Sequence, residues 1–334
     1  MSEIAAAVDR VLDRHASKHV GVAVGVRAET ELHTCGRGRV VADRPESPSA
    51  NTIFEIGSIT KVFTAVLLAD LVQRGLVALE DPVQRYLPEG VRLPVRGQPV
   101  TLADLATHSA GFPGIPKGML RRALTERANP WATFAEADLV AAVPRTRLRA
   151  APGRRVRYSN YGFGLLGYVL ARVAGTSYEA LVQERICRPL ELVDTSTVVP
   201  DEKREGLAHA HDRRGRPVSY WDIPGLPGAG ALHSTVDDLL AFLDLNLFLG
   251  DAPLALAARL THAPRVSKRR YAFGLGWMRI RIAGTVAIFH DGGTGGFRSV
   301  FGFVEGRTLA AVVLSNCSRS VDRIGIELLK SLAA

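Results

Sequence analysis

The chain predicts an α+β protein: an antiparallel sheet assembled from both chain ends, flanked by helices, with a mainly helical segment inserted between them. Three observations carry this. Residues 20–41 alternate apolar stretches with turn signals, residues 274–315 read as a run of short strands, and the text between residues 76 and 229 alternates helical patterns with Pro and Gly breaks. At 334 residues, with 47% hydrophobic and 22% charged, the composition is that of a globular chain with one large or two intimately joined units. The expected division is 1–75 plus 230–334 for the sheet and 76–229 for the helices, with a site between them.

Taken in order, a helix over residues 2–16 precedes a β-hairpin or meander over 20–41, and a Pro-containing loop from Asp43 to Ser49 leads to the segment Phe54-Glu55-Ile56-Gly57-Ser58. A helix starts at Ser58, with Val62, Ala65, Val66, Leu68, Ala69 and Val72 at helical spacing and Gly75 as the stop. Further helices are expected over Thr101–His108, Phe134–Ala142, Tyr161–Ala174 and Tyr178–Ile186. After Gly230 one more helix, Thr235–Phe248, leads into strands at Gly274–Ile282, Thr285–His290, Phe297–Val304 and Thr308–Ser315. A helix from about Ser320 to Leu332 ends the chain.

The charge of +9 arises from 42 Lys plus Arg against 33 Asp plus Glu. The basic clusters are Arg121, Arg122 and Arg127, then Arg145 to Arg157, then Lys268 to Arg270, and they lack the interleaved aromatics of a nucleic-acid module. No nucleic-acid partner is expected; solvation, or steering of an anionic substrate, is. No apolar run approaches the roughly 20 residues of a membrane span, so no membrane partner is expected. The first ten residues carry acids and no signal-peptide core, which predicts a cytoplasmic chain. Cys35, Cys187 and Cys317 have no pairing or zinc spacing and read as small apolar fillers. His209-x-His211-Asp212 lacks a third ligand at metal spacing and reads as loop, so neither metal nor cofactor is expected. Gly162-x-Gly164-x-x-Gly167 matches a dinucleotide fingerprint but lies inside a helical stretch, which predicts close helix packing instead.

The chemistry gathers in three constellations. Ser58 at a helix N-terminus with Lys61 three residues on places a hydroxyl and an amine on one face, a nucleophile and its base if the amine is desolvated. Tyr158-Ser159-Asn160 stands at a loop-to-helix junction, where a phenol and an amide can enter a cleft. His290-Asp291-Gly292-Gly293 ends a strand in a Gly-rich turn, where a backbone N–H can face that of Ser58 across a carbonyl oxygen.

With these marks in this order, the chain resembles the serine β-lactamase and penicillin-binding-protein superfamily, in its class C-like branch of β-lactamase-related hydrolases, esterases, D-aminopeptidases and acyltransferases. Leu105-Ala106-Thr107-His108-Ser109-Ala110-Gly111 and Gly228-Ala229-Gly230-Ala231-Leu232-His233-Ser234-Thr235 agree with it. The resemblance implies acylation of Ser58, Lys61 as its proton partner and Tyr158 as general base. It implies Asn160 orienting substrate or Lys61 and an oxyanion hole from the N–H groups of Ser58 and Gly293; Gly292 and Gly293, lacking side chains, let a substrate lie against the strand edge beside His290. His290 stands where many relatives have lysine, which argues against efficient penicillin hydrolysis. The expected activity is hydrolysis of a small ester or amide, with an anionic group read by Arg298 or by an arginine beside Tyr158 as one option. Transfer of the acyl group to an amine or alcohol, and a noncatalytic binding protein on the same fold, are the alternatives.

Overall fold

The computed structural model describes residues 2–333 apart from 42–44, 127 and 249, so Asp43 and Arg127 lie outside the described residues. Its first elements are α1 (Glu3–His15), β1 (Gly21–Ala28), β2 (Glu31–Gly38), β3 (Phe54–Glu55) and α2 (Thr60–Gln73). There follow α3 (Leu102–Ala106), α4 (Met119–Thr125), α5 (Glu136–Ala142), α6 (Asn160–Ala174), α7 (Tyr178–Val182) and α8 (Pro227–Gly230). The remainder is β4 (His233–Ser234), α9 (Val236–Leu247), α10 (Pro253–His262), β5 (Val266–Lys268), β6 (Tyr271–Phe273), β7 (Met278–Ile282), β8 (Thr285–Gly293), β9 (Arg298–Val304), β10 (Leu309–Ser315) and α11 (Asp322–Ala333).

Eight strands form one antiparallel sheet in the order β2-β1-β10-β9-β8-β7-β6-β5, so the N-terminal hairpin pairs with the C-terminal strand. The alternation of side chains sets the two faces. Leu309, Ala311 and Val313 of β10 join Val22, Val24 and Val26 of β1 under α1 and α11, whose inner faces carry Ile4, Val8, Val11, Ile324 and Leu328. Ala310, Val312 and Leu314 face the other way, toward α2 and α9. A strand buried on both faces must be apolar throughout, which is why β10 reads Leu-Ala-Ala-Val-Val-Leu.

Helix α2 lies at the centre, with every residue from Thr60 to Leu71 buried. A helix enclosed on all sides has no polar face, so its polar residues need partners. Thr64 Oγ1 donates to the carbonyls of Thr60 (3.2 Å) and Gly228 (2.8 Å) as alternatives and sits 2.7 Å from the Tyr178 hydroxyl. Asp70 is bound by Arg74. The glycines of the 162–167 pattern lie within α6, as helix packing requires. A Cβ on Gly164 would stand 2.0 Å from Leu226 Cδ2, and one on Gly167 2.9 Å from the Gly228 Cα.

Sequence spacing predicts a single helix between Gly230 and the last strands, whereas the structure has two. Helix α10 opens on Pro253 at its first turn, where a missing N–H is harmless, and buries Ala255, Ala257 and Ala258. Its small apolar residues give a weak stripe, which hides it from a periodicity reading. The strand expected over Gly274–Ile282 begins at Met278, with β6 ahead of it and Gly276 in a left-handed turn between them.

Candidate active site

Ser58 lies on a 3-10 turn, Gly57–Ile59, that runs directly into α2. The turn is tied down from several sides. Ile56 N donates to Leu232 O, Ser299 Oγ donates to Ile56 O, and Thr60 Oγ1 donates to Gly57 O while accepting from Leu232 N. Gly57 has φ +52, and a Cβ there would stand 2.6 Å from the Gly293 nitrogen. A Cβ on Gly292 would lie 2.1 Å from Ile56 O and 3.1 Å from the Ser58 nitrogen. Only residues without Cβ let the end of β8 press against the Ser58 turn. Pairing of β7 with β8 stops at Met278↔Phe289, so the edge of β8 from His290 to Gly293 extends past β7 beside Ser58.

Lys61 is fully buried, and its Nζ donates to Ser58 Oγ (2.8 Å) and to Ala229 O (2.6 Å). Among the described residues no carboxylate pairs with it. Burial brings the amine down from 10.5 to about 7, with Asp291 opposing weakly. The amine therefore has a large neutral fraction at neutral pH, as a proton acceptor requires.

The Tyr158 ring lies 4.9 Å from Lys61 Nζ, and its phenol interacts with Ser58. The residue as a whole is 41% exposed, yet its phenol is crowded by Ser58, Lys61 and His108. That burial pushes its pKa above the ordinary 10, against the hydrogen bond to Ser58. Tyr158 is a neutral phenol here. His108 stacks on it at a centroid distance of 4.4 Å, holds φ +59, and accepts from Ser159 N through Nδ1 (3.2 Å).

Asn160 opens α6, and its buried Oδ1 has no hydrogen-bond partner. It lines a narrow cleft of ≈ 40 Å³ with Ser58, Gly293, Trp131, Trp221 and Ile223. His290 is buried on β8, with its ring 6.3 Å from that of Tyr158 and its Nδ1 2.6 Å from Asp291 O. Burial, then Lys61, holds it down to about 3, so it is a neutral imidazole. Arg298 Nη1 donates to Thr294 O (2.8 Å) and Phe297 O (2.7 Å) and so closes the Gly-rich turn. Of its nitrogens, that one is committed to the backbone rather than to the cleft. A larger cavity of ≈ 690 Å³ along Arg172, Tyr178 and Asp222 shares Ile223 with the cleft, but Ser58 opens on the smaller one.

The structure thus gathers Ser58, Lys61, Tyr158, Asn160, His290, Gly292 and Gly293 at one place. Sequence reasoning assigns no role to His108, Ala229, Glu55, Trp131 or Trp221. Glu55 is buried three residues before Ser58, accepts from Trp221 N at 2.7 Å and is pushed up to about 7 by burial. The tryptophans carried a signal: the chain has only 3, and Trp131 and Trp221 both stand at the cleft. His211, the one buried histidine of the 209–212 group, sits 3.0 Å from Asn316 O through Nδ1. Among the described residues no group of three or more His, Cys, Asp or Glu converges as a metal site. None of the described helices is long and apolar enough to cross a membrane.

Known proteins carry the same plan. The chain is 28% identical over 337 residues to the D-alanyl-D-alanine-carboxypeptidase/endopeptidase AmpH of Escherichia coli K12, covering 91% of this chain and 83% of that protein. A beta-lactamase of the same organism is 27% identical, covering 89% and 83%. A class C beta lactamase from Rhodobacter sphaeroides superposes with a TM-score of 0.83 at 25% identity over 99% of this chain and 98% of that one. The octameric penicillin-binding protein homologue from Pyrococcus abyssi shares the fold, with a TM-score of 0.87 at 24% identity over 99% and 78%. The sequence pattern that defines the Beta-lactamase family matches residues 5–334. The chain belongs to the Beta-lactamase family and is a serine hydrolase of that kind.

Proposed function

We propose that the protein hydrolyses a small ester or amide through an acyl-enzyme on Ser58. The observation that carries this reading is the buried Lys61 amine, 2.8 Å from Ser58 Oγ and without a carboxylate partner among the described residues. Neutral Lys61 takes the Ser58 proton as the oxygen attacks the carbonyl carbon. The N–H groups of Ser58 and Gly293 hold the developing oxyanion at the junction of the nucleophile turn and β8. Tyr158, as a neutral phenol beside Ser58, passes a proton to the leaving group and is re-protonated from Lys61. Water then attacks the acyl-enzyme by the same relay in reverse.

This division differs from the one the resemblance implies, where Tyr158 is the base. The raised pKa of its phenol makes phenolate scarce, whereas the Lys61 amine, brought to about 7, supplies a neutral base directly. Asn160, with its unpartnered Oδ1, is suited to receive an N–H or O–H of the substrate. The relatives' names point to D-alanyl-D-alanine peptides and β-lactams as substrate classes. The neutral His290, in place of a cationic lysine, supports an ester or amide without a carboxylate at that end over a penicillin.

The test is kcat/KM for a short p-nitrophenyl ester, a D-alanyl-D-alanine peptide and a penicillin between pH 5 and 9, in wild-type, Ser58→Ala and Lys61→Ala proteins. The expected result is ester turnover that exceeds that of the two carboxylate-bearing substrates, rises with pH through about 7 and is lost in both variants. Turnover that survives Ser58→Ala would remove the acyl-enzyme from consideration.

A further inference from the structure

At the end of the sheet that carries the active site there is a second concavity. The paired residues Gly293↔Arg298, Arg298↔Ser315, Val22↔Ser315 and Val22↔Arg37 run in a row from β8 across to β2. Past the strand ends at that row, where Ser315, Val22 and Arg37 lead to Cys317, Val20 and Arg39, lies a cavity of ≈ 590 Å³ lined by Lys18, Arg39, Arg213, Arg214 and Arg319, with His19 and Cys317 among its other walls. Its walls Cys317 and Val20 follow β10 and precede β1, which lie two and three strands over from β8 in the sheet. We propose that this cavity is a binding site for a small molecule carrying two or more phosphate charges, separate from the cleft of Ser58.

Its charge is one-sided. Among the described residues no carboxylate lines it, and none of Lys18, Arg213, Arg214 and Arg319 takes part in an ion pair. The neighbouring Asp212 pairs with the Arg216 guanidinium on Oδ2 at 2.7 Å and accepts from the backbone N–H groups of Arg214 and Arg216 on Oδ1. Many other cations of this chain do have partners, for example Arg27 with Asp244 and Arg279 with Glu305. The guanidinium groups of Arg213, Arg214 and Arg319 line one cavity without a paired carboxylate and repel one another, an arrangement that a multiply charged anion relieves through forked hydrogen bonds. The volume falls within the roughly 300–1,000 Å³ of small-molecule sites.

His19, on the cavity wall, sits in the field of these same cations. Its Nδ1 lies 3.0 Å from Ser315 Oγ, and after burial the largest influence on it is Arg319, with His15 and Lys18 adding, so that the imidazole is held down to about 4. The cationic residues come from four separate stretches of chain, and none belongs to the basic clusters visible in the sequence. Only the fold brings them together.

The probe is inorganic pyrophosphate, titrated by calorimetry at low salt into wild-type protein, Ser58→Ala, Arg214→Ala with Arg319→Ala, and, as a control of equal charge loss, Arg269→Ala with Arg270→Ala. Saturable binding that persists in Ser58→Ala and in the control, and weakens at least tenfold in the Arg214/Arg319 variant, is the expected result. Addition of pyrophosphate should also raise the pH at which the His19 ring protons titrate. Absence of saturable binding, or equal weakening in both arginine variants, would overturn the proposal. Because Ser58→Ala retains the cavity, failure here is distinguishable from failure of the hydrolase assignment.

Discussion

The most searching prediction concerns Lys61→Met, a replacement of similar length that cannot bind a proton. In the folded protein the Lys61 amine protonates near 7, against 10.5 when freely solvated. Between those values the unfolded chain holds a proton that the folded chain does not, so stability rises with pH across this window. At pH 7 the penalty of burying Lys61 amounts to about 4 kcal/mol, and at pH 9 to about 2 kcal/mol. Methionine carries no such penalty but forfeits the hydrogen bonds to Ser58 Oγ and Ala229 O, worth about 1 kcal/mol each. The absolute difference between the proteins mixes these effects, whereas its change with pH isolates the proton. Urea unfolding at pH 7, 8 and 9 should show the advantage of Lys61→Met over wild type shrinking by about 2 kcal/mol. A difference that stays flat within about 0.5 kcal/mol would mean that the folded amine is an ordinary ammonium, and the general-base role would fall with it.

Three further outcomes are expected. Tyr158→Phe should lower kcat about 10²- to 10⁴-fold with an unchanged circular dichroism spectrum, since only a proton relay is removed; full activity would exclude that relay. Glu55→Gln should gain stability on wild type by roughly 2–3 kcal/mol between pH 5 and 8, because the Glu55 carboxyl, raised to about 7, favours the fold only while protonated. Thermal melts at the two pH values check this, and parallel curves would show the carboxyl to be ionised throughout. Gly292→Ala puts a methyl 2.1 Å from Ile56 O and should displace the nucleophile turn from β8, lowering kcat/KM about 10²-fold; wild-type kinetics would show that the junction can yield freely.

What was legible in the sequence was what local spacing determines. Ser58 and Lys61 meet because three residues make nearly one helical turn, and the strands of the C-terminal third announce themselves as β-branched and aromatic runs between glycines. The position of Tyr158 and Asn160 at a helix start is likewise local, set by the Ser159 cap, whose side chain accepts from Gly162 N. The partners that tune these groups are long-range. Ala229 O, which receives the second Lys61 hydrogen bond, lies 168 residues away and offers only a backbone atom. His108 reaches Tyr158 through a left-handed backbone, which is uncommon for any residue but glycine even though histidine adopts it more often than most. The enclosure of α2 was hidden for a related reason: its Thr60, Lys61, Thr64 and Asp70 look like a solvent face until the helices of the central segment close over them.

The most direct test of the central claim is peptide mapping by mass spectrometry after brief exposure of the wild-type protein to a p-nitrophenyl ester and acid quenching. Acyl-enzyme catalysis predicts the acyl mass on the peptide containing Ser58, its disappearance with time in water, and its absence in Ser58→Ala. Turnover of the ester with the acyl mass on another residue, or with the adduct retained in Ser58→Ala, would contradict it.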